Sequence, residues 1–155
     1  MARDVKGVPV GPARVAWLAL WALLAWAGPA GAGEIVVVAH PAQPVDALTA
    51  EEIKDIYVGE QTFVEQVKVQ PVDYVGRGPL AEDFLGAVVG MTAGRFRAYW
   101  VKQVFHGGRV PPRMVDGTEE ALRVVAAEPG AIGYVPAEAL KGVTSVKRVH
   151  TLRVP

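Results

Sequence analysis

The sequence predicts an α/β protein: a largely parallel sheet with helices on both faces. Three features carry that prediction. Residues 34–40, EIVVVAH, form a continuous run of β-branched apolar residues, the pattern of a strand covered on both sides. Helices with clear start and stop signals then alternate with further strands. Late in the chain AEPGAIGYV, residues 127–135, leaves an apolar helix through Pro129-Gly130 and enters a short inner strand.

The first 32 of the 155 residues stand apart. Arg3, Lys6 and Arg14 precede the apolar core VAWLALWALLAWA, and Ala30-Gly31-Ala32 has the small-x-small form of a secretory cleavage site. A membrane anchor is the rival reading, but a spanning helix needs roughly 20 apolar residues and this run meets Gly28-Pro29 first. Residues 1–32 are therefore read as a cleaved signal peptide, and residues 33–155 as a single domain. That domain holds 13 basic and 15 acidic residues, a net charge of −2 with no basic block. This gives no support for a nucleic-acid or anionic-membrane surface. The chain has no cysteine, so neither a disulfide nor a lipidated cysteine is available. The expected product is soluble and periplasmic, with full secretion as the alternative.

After the first strand, Pro41 and Pro44 hold an extended loop. LTAEEIKDIYVGE, residues 48–60, is the strongest helix signal. Thr49 and Glu52 make a capping box, Leu48 and Ile53 a hydrophobic staple, and Gly59 the stop. QVKVQPVD, residues 66–73, alternates as a strand, in which Pro71 predicts an edge position or a bulge. DYVGRG leads to Pro79 as a first helical residue, and Leu80, Phe84 and Val88 keep helical spacing to Gly90. Thr92 caps a further helix with Phe96, Tyr99, Trp100 and Val104 as its inner face, while Arg95, Arg97 and Lys102 form a solvated face. HGGRVPPR, residues 106–113, is a stiff connection. Asp116 or Thr118 caps the next helix, whose inward residues are Ala121, Leu122 and Val125. PAEALKG forms a short helix opened by Pro136, and SVKRVHTL, residues 145–152, closes the sheet.

The glycines of AEPGAIGYV admit a phosphate loop, a hairpin or a packing strand. A phosphate loop needs a longer glycine run ending in Lys-Ser/Thr, and a hairpin needs a strand before the turn. The third reading remains: Gly133 allows a close approach by a helix or backbone, and Tyr134 can bring its hydroxyl to a partner.

GAIGYV behind its Pro-Gly turn resembles the returning strand of the phosphate ABC-transporter substrate-binding proteins, a type II periplasmic-binding-protein family. LTAEEIKDIYVGE resembles that family's capped helix. The resemblance spans roughly Ile35 to Tyr134, and it implies a periplasmic-binding-protein-like sandwich of one lobe where the family has two. In the family an Arg-Ser-x-Gly-Ser-Gly-Thr-like run holds phosphate at a helix start, and DYVGRGPL occupies that place here. Asp73 stands in place of the arginine and Pro79 in place of a threonine; Gly76 and Gly78 keep the pattern.

The resemblance thus implies an oxyanion site around Asp73, Tyr74, Gly76, Arg77 and Gly78, assisted by His40 and Gln43 from the loop after the first strand. Arg77 can grip an oxyanion with its planar fork, or lie on the surface paired with Asp73 or Glu82. Pro79 deletes one helix-start N–H donor, and Glu82 and Asp83 already place negative charge there. Catalysis has no constellation: the histidines are scattered, no metal spacing occurs, and Ser145 has no partnered base. No cofactor is expected. Two functions follow. One is phosphate or oxyanion binding for an ABC transporter. The other is a ligand-free interaction or signalling module that reports to transporter components or a membrane sensor.

Overall fold

Strand β1 (Glu34–Ala39) alternates between two cores, and both are needed to bury its unbroken apolar run. Ile35, Val37 and Ala39 join one core, Val36 and Val38 the other, and all five are buried. The computed structural model describes residues 33–76 and 78–155; residues 1–32, on which the signal-peptide reading falls, and Arg77 lie outside the described residues. Those from Gly33 onward belong to one compact unit.

Helix α1 (Ala50–Val58) begins at the expected capping box. The Glu52 N–H donates to Thr49 Oγ1 at 3.2 Å and the Thr49 N–H to Glu52 Oε2 at 2.8 Å. It ends at Gly59, whose φ of 76° is left-handed. Ile53, Ile56 and Tyr57 are buried against the sheet. The segment read as one strand over 66–73 divides in two. Phe63–Val64 (β2) and Val67–Lys68 (β3) make a small hairpin, and Gln70–Tyr74 (β4) enters the main sheet. Pro71 lies in an inner strand, not at an edge. It precedes the stretch Val72–Tyr74 that pairs with β5 (Arg113–Val115), so no β5 partner is lost at the proline.

Pro79 opens α2 (Pro79–Phe84), which runs into a π-helical turn, Leu85–Val89, stopped by left-handed Gly90. Thr92 caps α3 (Ala93–His106) by accepting the Arg95 N–H at 3.2 Å. Phe96 and Trp100 are buried as expected, but Val104 is 52% exposed, because α3 turns that side away from the core. Helix α4 (Thr118–Ala127) begins at Gly117 with no side-chain cap, in place of the Asp116 or Thr118 cap expected. Its start is served instead by Glu120, whose carboxylate accepts the Asp116 N–H. Strand β6 (Ala131–Pro136), a 3₁₀ turn (Ala137–Leu140) and β7 (Lys147–Arg153) complete the chain.

The sheet order is β5-β4-β6-β1-β7. Strand β4 is parallel to β5 and β6, while β1 is antiparallel to both β6 and β7. Four strands therefore share one direction and β1 alone is reversed. Helices α1, α2 and α3 cover one face and α4 with the 3₁₀ turn the other, which is the α/β architecture the sequence predicts. Of the glycines of AEPGAIGYV, Gly130 is required by close approach and Gly133 sits in a tight contact. A Cβ on Gly130 would collide with the Lys68 carbonyl, and one on Gly133 would come within 3.2 Å of Val125 Cγ2 on α4.

Candidate functional site

Strand β4 ends on Asp73 and Tyr74, one strand in from the β5 edge of the sheet. Asp73 is buried, and its carboxylate accepts the Tyr134 hydroxyl at 2.6 Å. Loss of water holds the Asp73 carboxyl above its ordinary value of 3.8, against the opposing pull of the Tyr134 hydrogen bond, the Tyr74 backbone and the Arg97 charge. Burial first, and then the nearby Asp73 charge, push the Tyr134 hydroxyl far upward. Half-buried Tyr74 rises to about 12, because loss of water and then the Asp73 charge outweigh the opposing hydrogen bond with Thr118. Both tyrosines are thus neutral donors at physiological pH.

These groups sit in an aromatic cluster. Phe84 stacks on Tyr134 with centroids 3.8 Å apart, and Tyr57 and Tyr74 meet the same pair edge-on. Each hydroxyl has an acceptor: Tyr57 donates to the Val72 carbonyl at 2.8 Å, Tyr74 to the Tyr134 carbonyl at 2.7 Å, and Tyr134 to Asp73. Buried hydroxyls are tolerated only when so paired. The sequence suggested a partner for Tyr134 without identifying it, and Asp73 is that partner.

Beside Asp73 a cleft of about 330 Å³ opens between α3 and the β5 edge. Its floor is Ala81, Phe96 and Trp100. Val101, Val104 and Phe105 form one wall, and Pro111, Pro112 and Met114 the other. Asp73 and Met114 are register partners on β4 and β5, so they rise from the same face of the sheet. Arg97 lines one end and donates to the Gly76 carbonyl at 3.2 Å. The walls are almost wholly apolar, which suits apolar groups and gives a small hydrated anion few donors.

The sequence-predicted site does not assemble as one unit. Asp73, Tyr74 and Gly76 line the cleft, and Gly78 is the N-cap residue of α2 without a side-chain cap. His40 and Gln43 lie at the opposite end of the sheet. Ala39 pairs with Ile132, which in turn pairs with Pro71 at the start of β4, so the reversal of β1 carries its following loop away from Tyr74. There His40 Nδ1 accepts the Ala42 N–H and the Gln43 N–H donates to the His40 carbonyl, closing a turn. Gln43 is buried, and its carbonyl takes the Lys147 ammonium at 2.8 Å. Neither residue reaches the DYVGRGPL loop, and the buried Gln43 side-chain amide has no hydrogen-bond partner among the described residues. Among the described residues no group of three or more metal-ligating side chains occurs, and no helix is long and apolar enough to cross a membrane.

The cleft itself went unnoticed in the sequence. Its only signal is the pair Val101 and Phe105, which fall outside the buried stripe of α3 at positions where a solvated helix would carry polar residues.

No family model and no curated protein matches the chain. Solved structures do. A protein from Clostridium perfringens assigned as a phosphate ABC transporter substrate-binding protein, with bound phosphate, matches at 24% identity and a TM-score of 0.60. An ABC-type phosphate transport receptor from Vibrio cholerae matches at 20% and 0.59, and PstS from Borrelia burgdorferi at 13% and 0.60. Each match covers 76% of this chain but only 44–46% of the other, so the chain spans less than half the length of these neighbours. The described residues share the α/β fold found within phosphate ABC-transporter substrate-binding proteins.

Proposed function

We propose that the chain is an exported, non-enzymatic lobe of the solute-binding fold that serves as an interaction or signalling module in the periplasm. Residues 1–32 supply its export signal in this reading, and transporter components or a membrane sensor supply its partner. The observation that carries it is the buried Asp73 carboxylate, held by Tyr134 at the head of the DYVGRGPL stretch where the resemblance would seat an oxyanion. A carboxylate there repels an anion, and an internal donor already offsets part of its loss of water. Pro79 adds to the effect by removing a donor from the start of α2.

Binding of phosphate or a similar oxyanion for an ABC transporter is the second reading. The fold shared with a phosphate-bound neighbour favours it, as do Gly76 and Gly78 and the approach of the Arg97 guanidinium to the same loop. A single lobe leaves such a ligand open to water on one side, which screens every charge.

Calorimetric titration with phosphate separates the readings. The module reading predicts no saturable heat up to millimolar phosphate. Heat that saturates at micromolar phosphate and disappears in Arg77→Ala would replace it with the transport reading.

A further inference from the structure

The cleft between α3 and β5 is the least explained surface of the described residues. Val101, Val104 and Phe105 are 56%, 52% and 87% exposed on one flank of α3, and Met114 is 46% exposed across from them. Large apolar side chains clustered around a concavity mark a binding surface. The cleft volume falls within the roughly 300–1,000 Å³ of specific sites.

Charge says what would cover it. Helix α3 carries Arg95, Arg97 and Lys102 and no acidic residue. All three are exposed, and none is within ion-pair distance of a carboxylate among the described residues. Arg97 lines the cleft itself, and at helical spacing Arg95 and Lys102 lie on the flank beyond Val101 and Phe105. The surface along α3 therefore reads apolar and then cationic.

We propose that this cleft docks an acidic amphipathic segment of a partner protein, its apolar side chains seated over Trp100 between α3 and β5 and its carboxylates facing the cations of α3. The proposal rests on the interaction-module reading and names the class of partner. A second copy of this chain would bring two cationic flanks together. A flat lipid surface would touch the rim at Phe105 and leave the floor uncovered. A small amphipathic acid would fill the cavity and leave Phe105 in water. A helix or extended peptide with apolar anchors covers both floor and rim.

Fluorescence anisotropy with labelled peptides tests this on the full chain. The probe is a helical peptide with leucines at i, i+3, i+4 and i+7 and glutamates between them. Its control has lysine for every glutamate. We expect the glutamate peptide to bind at least about tenfold tighter, with added salt narrowing the gap. Val104→Asp should weaken it about tenfold or more, and Phe105→Ser likewise; both positions are exposed, so an unchanged thermal transition confirms an intact fold. The double variant Arg97→Glu/Lys102→Glu should reverse the preference toward the lysine peptide.

Equal binding of the two peptides, or full affinity in Val104→Asp, overturns the proposal. Binding to phosphatidylserine vesicles, or to octanoate, in place of the peptide also overturns it by assigning the face to a membrane or a small acid. These results leave the module reading standing, which falls only to micromolar phosphate binding.

Discussion

At the scale of single residues, Asp73 decides most about this molecule. Its carboxyl is raised by burial, so between its ordinary value and its raised value the folded chain holds a proton that the unfolded chain has released. Stability therefore falls as pH rises through that window and stays lower above it. Asp73→Asn keeps an oxygen for the Tyr134 hydroxyl but cannot ionise. Denaturant unfolding at a series of pH values should show the variant losing this part of the slope and gaining on the parent as pH rises from acid to neutral. A variant whose slope matches that of the parent would show that Asp73 ionises at no cost to the fold. The sequence marks Asp73 as a departure from an anion-binding pattern, but its pairing with Tyr134 depends on the register of β4 beside β6, which composition and spacing do not encode.

At the scale of elements, local signals translate well. The capping box of α1, the stop at Gly59, the Thr92 cap and Pro79 at a helix start all stand where the sequence places them, because each depends on residues within one turn of one another. Gly133 is legible as a close-approach site as well, although its neighbour, Val125 of α4, belongs to a different element. Elements set by distant partners were less legible. The strand read over 66–73 breaks at Val69, since β3 pairs back on β2 while β4 pairs with β6. Val104 has helical spacing with Trp100 but lies beyond the edge of the core. This contrast can be measured by thermal unfolding. Thr49→Ala removes the two hydrogen bonds that the exposed cap hydroxyl makes with Glu52 and should cost about 1 kcal/mol. Gly130→Ala sets a Cβ against the Lys68 carbonyl, a backbone atom that cannot rotate away, and should cost clearly more. Equal losses would mean that the backbone crossing at Gly130 has slack.

At the scale of the whole molecule, the reversed strand governs what can meet what. Strand direction is a property of the assembled sheet, and an apolar run such as EIVVVA reads the same either way. For that reason His40 and Gln43, reasonable partners for the Asp73–Gly78 loop in a parallel sheet, lie at the far end. The same architecture sets where the fold opens first. Strands β1 and β6 are paired on both sides and flanked by two cores, whereas β2 and β3 pair only with each other. Hydrogen exchange followed by mass spectrometry should find the slowest amides in 34–39 and 131–136 and fast exchange in 63–68. Comparable protection in the hairpin would imply an additional covering surface there.

The reversal of β1 also brings Gly33 beside Val154, whose N–H donates to the Gly33 carbonyl at 2.9 Å. The first and last backbones of the described unit are thus hydrogen-bonded neighbours. A splice of a few residues could close them into a ring, and the exposed turn at Lys141–Gly142 could be cut to give new ends without severing a strand. By the same geometry the unit can be grafted whole into a surface turn of another protein, arriving and leaving through one point.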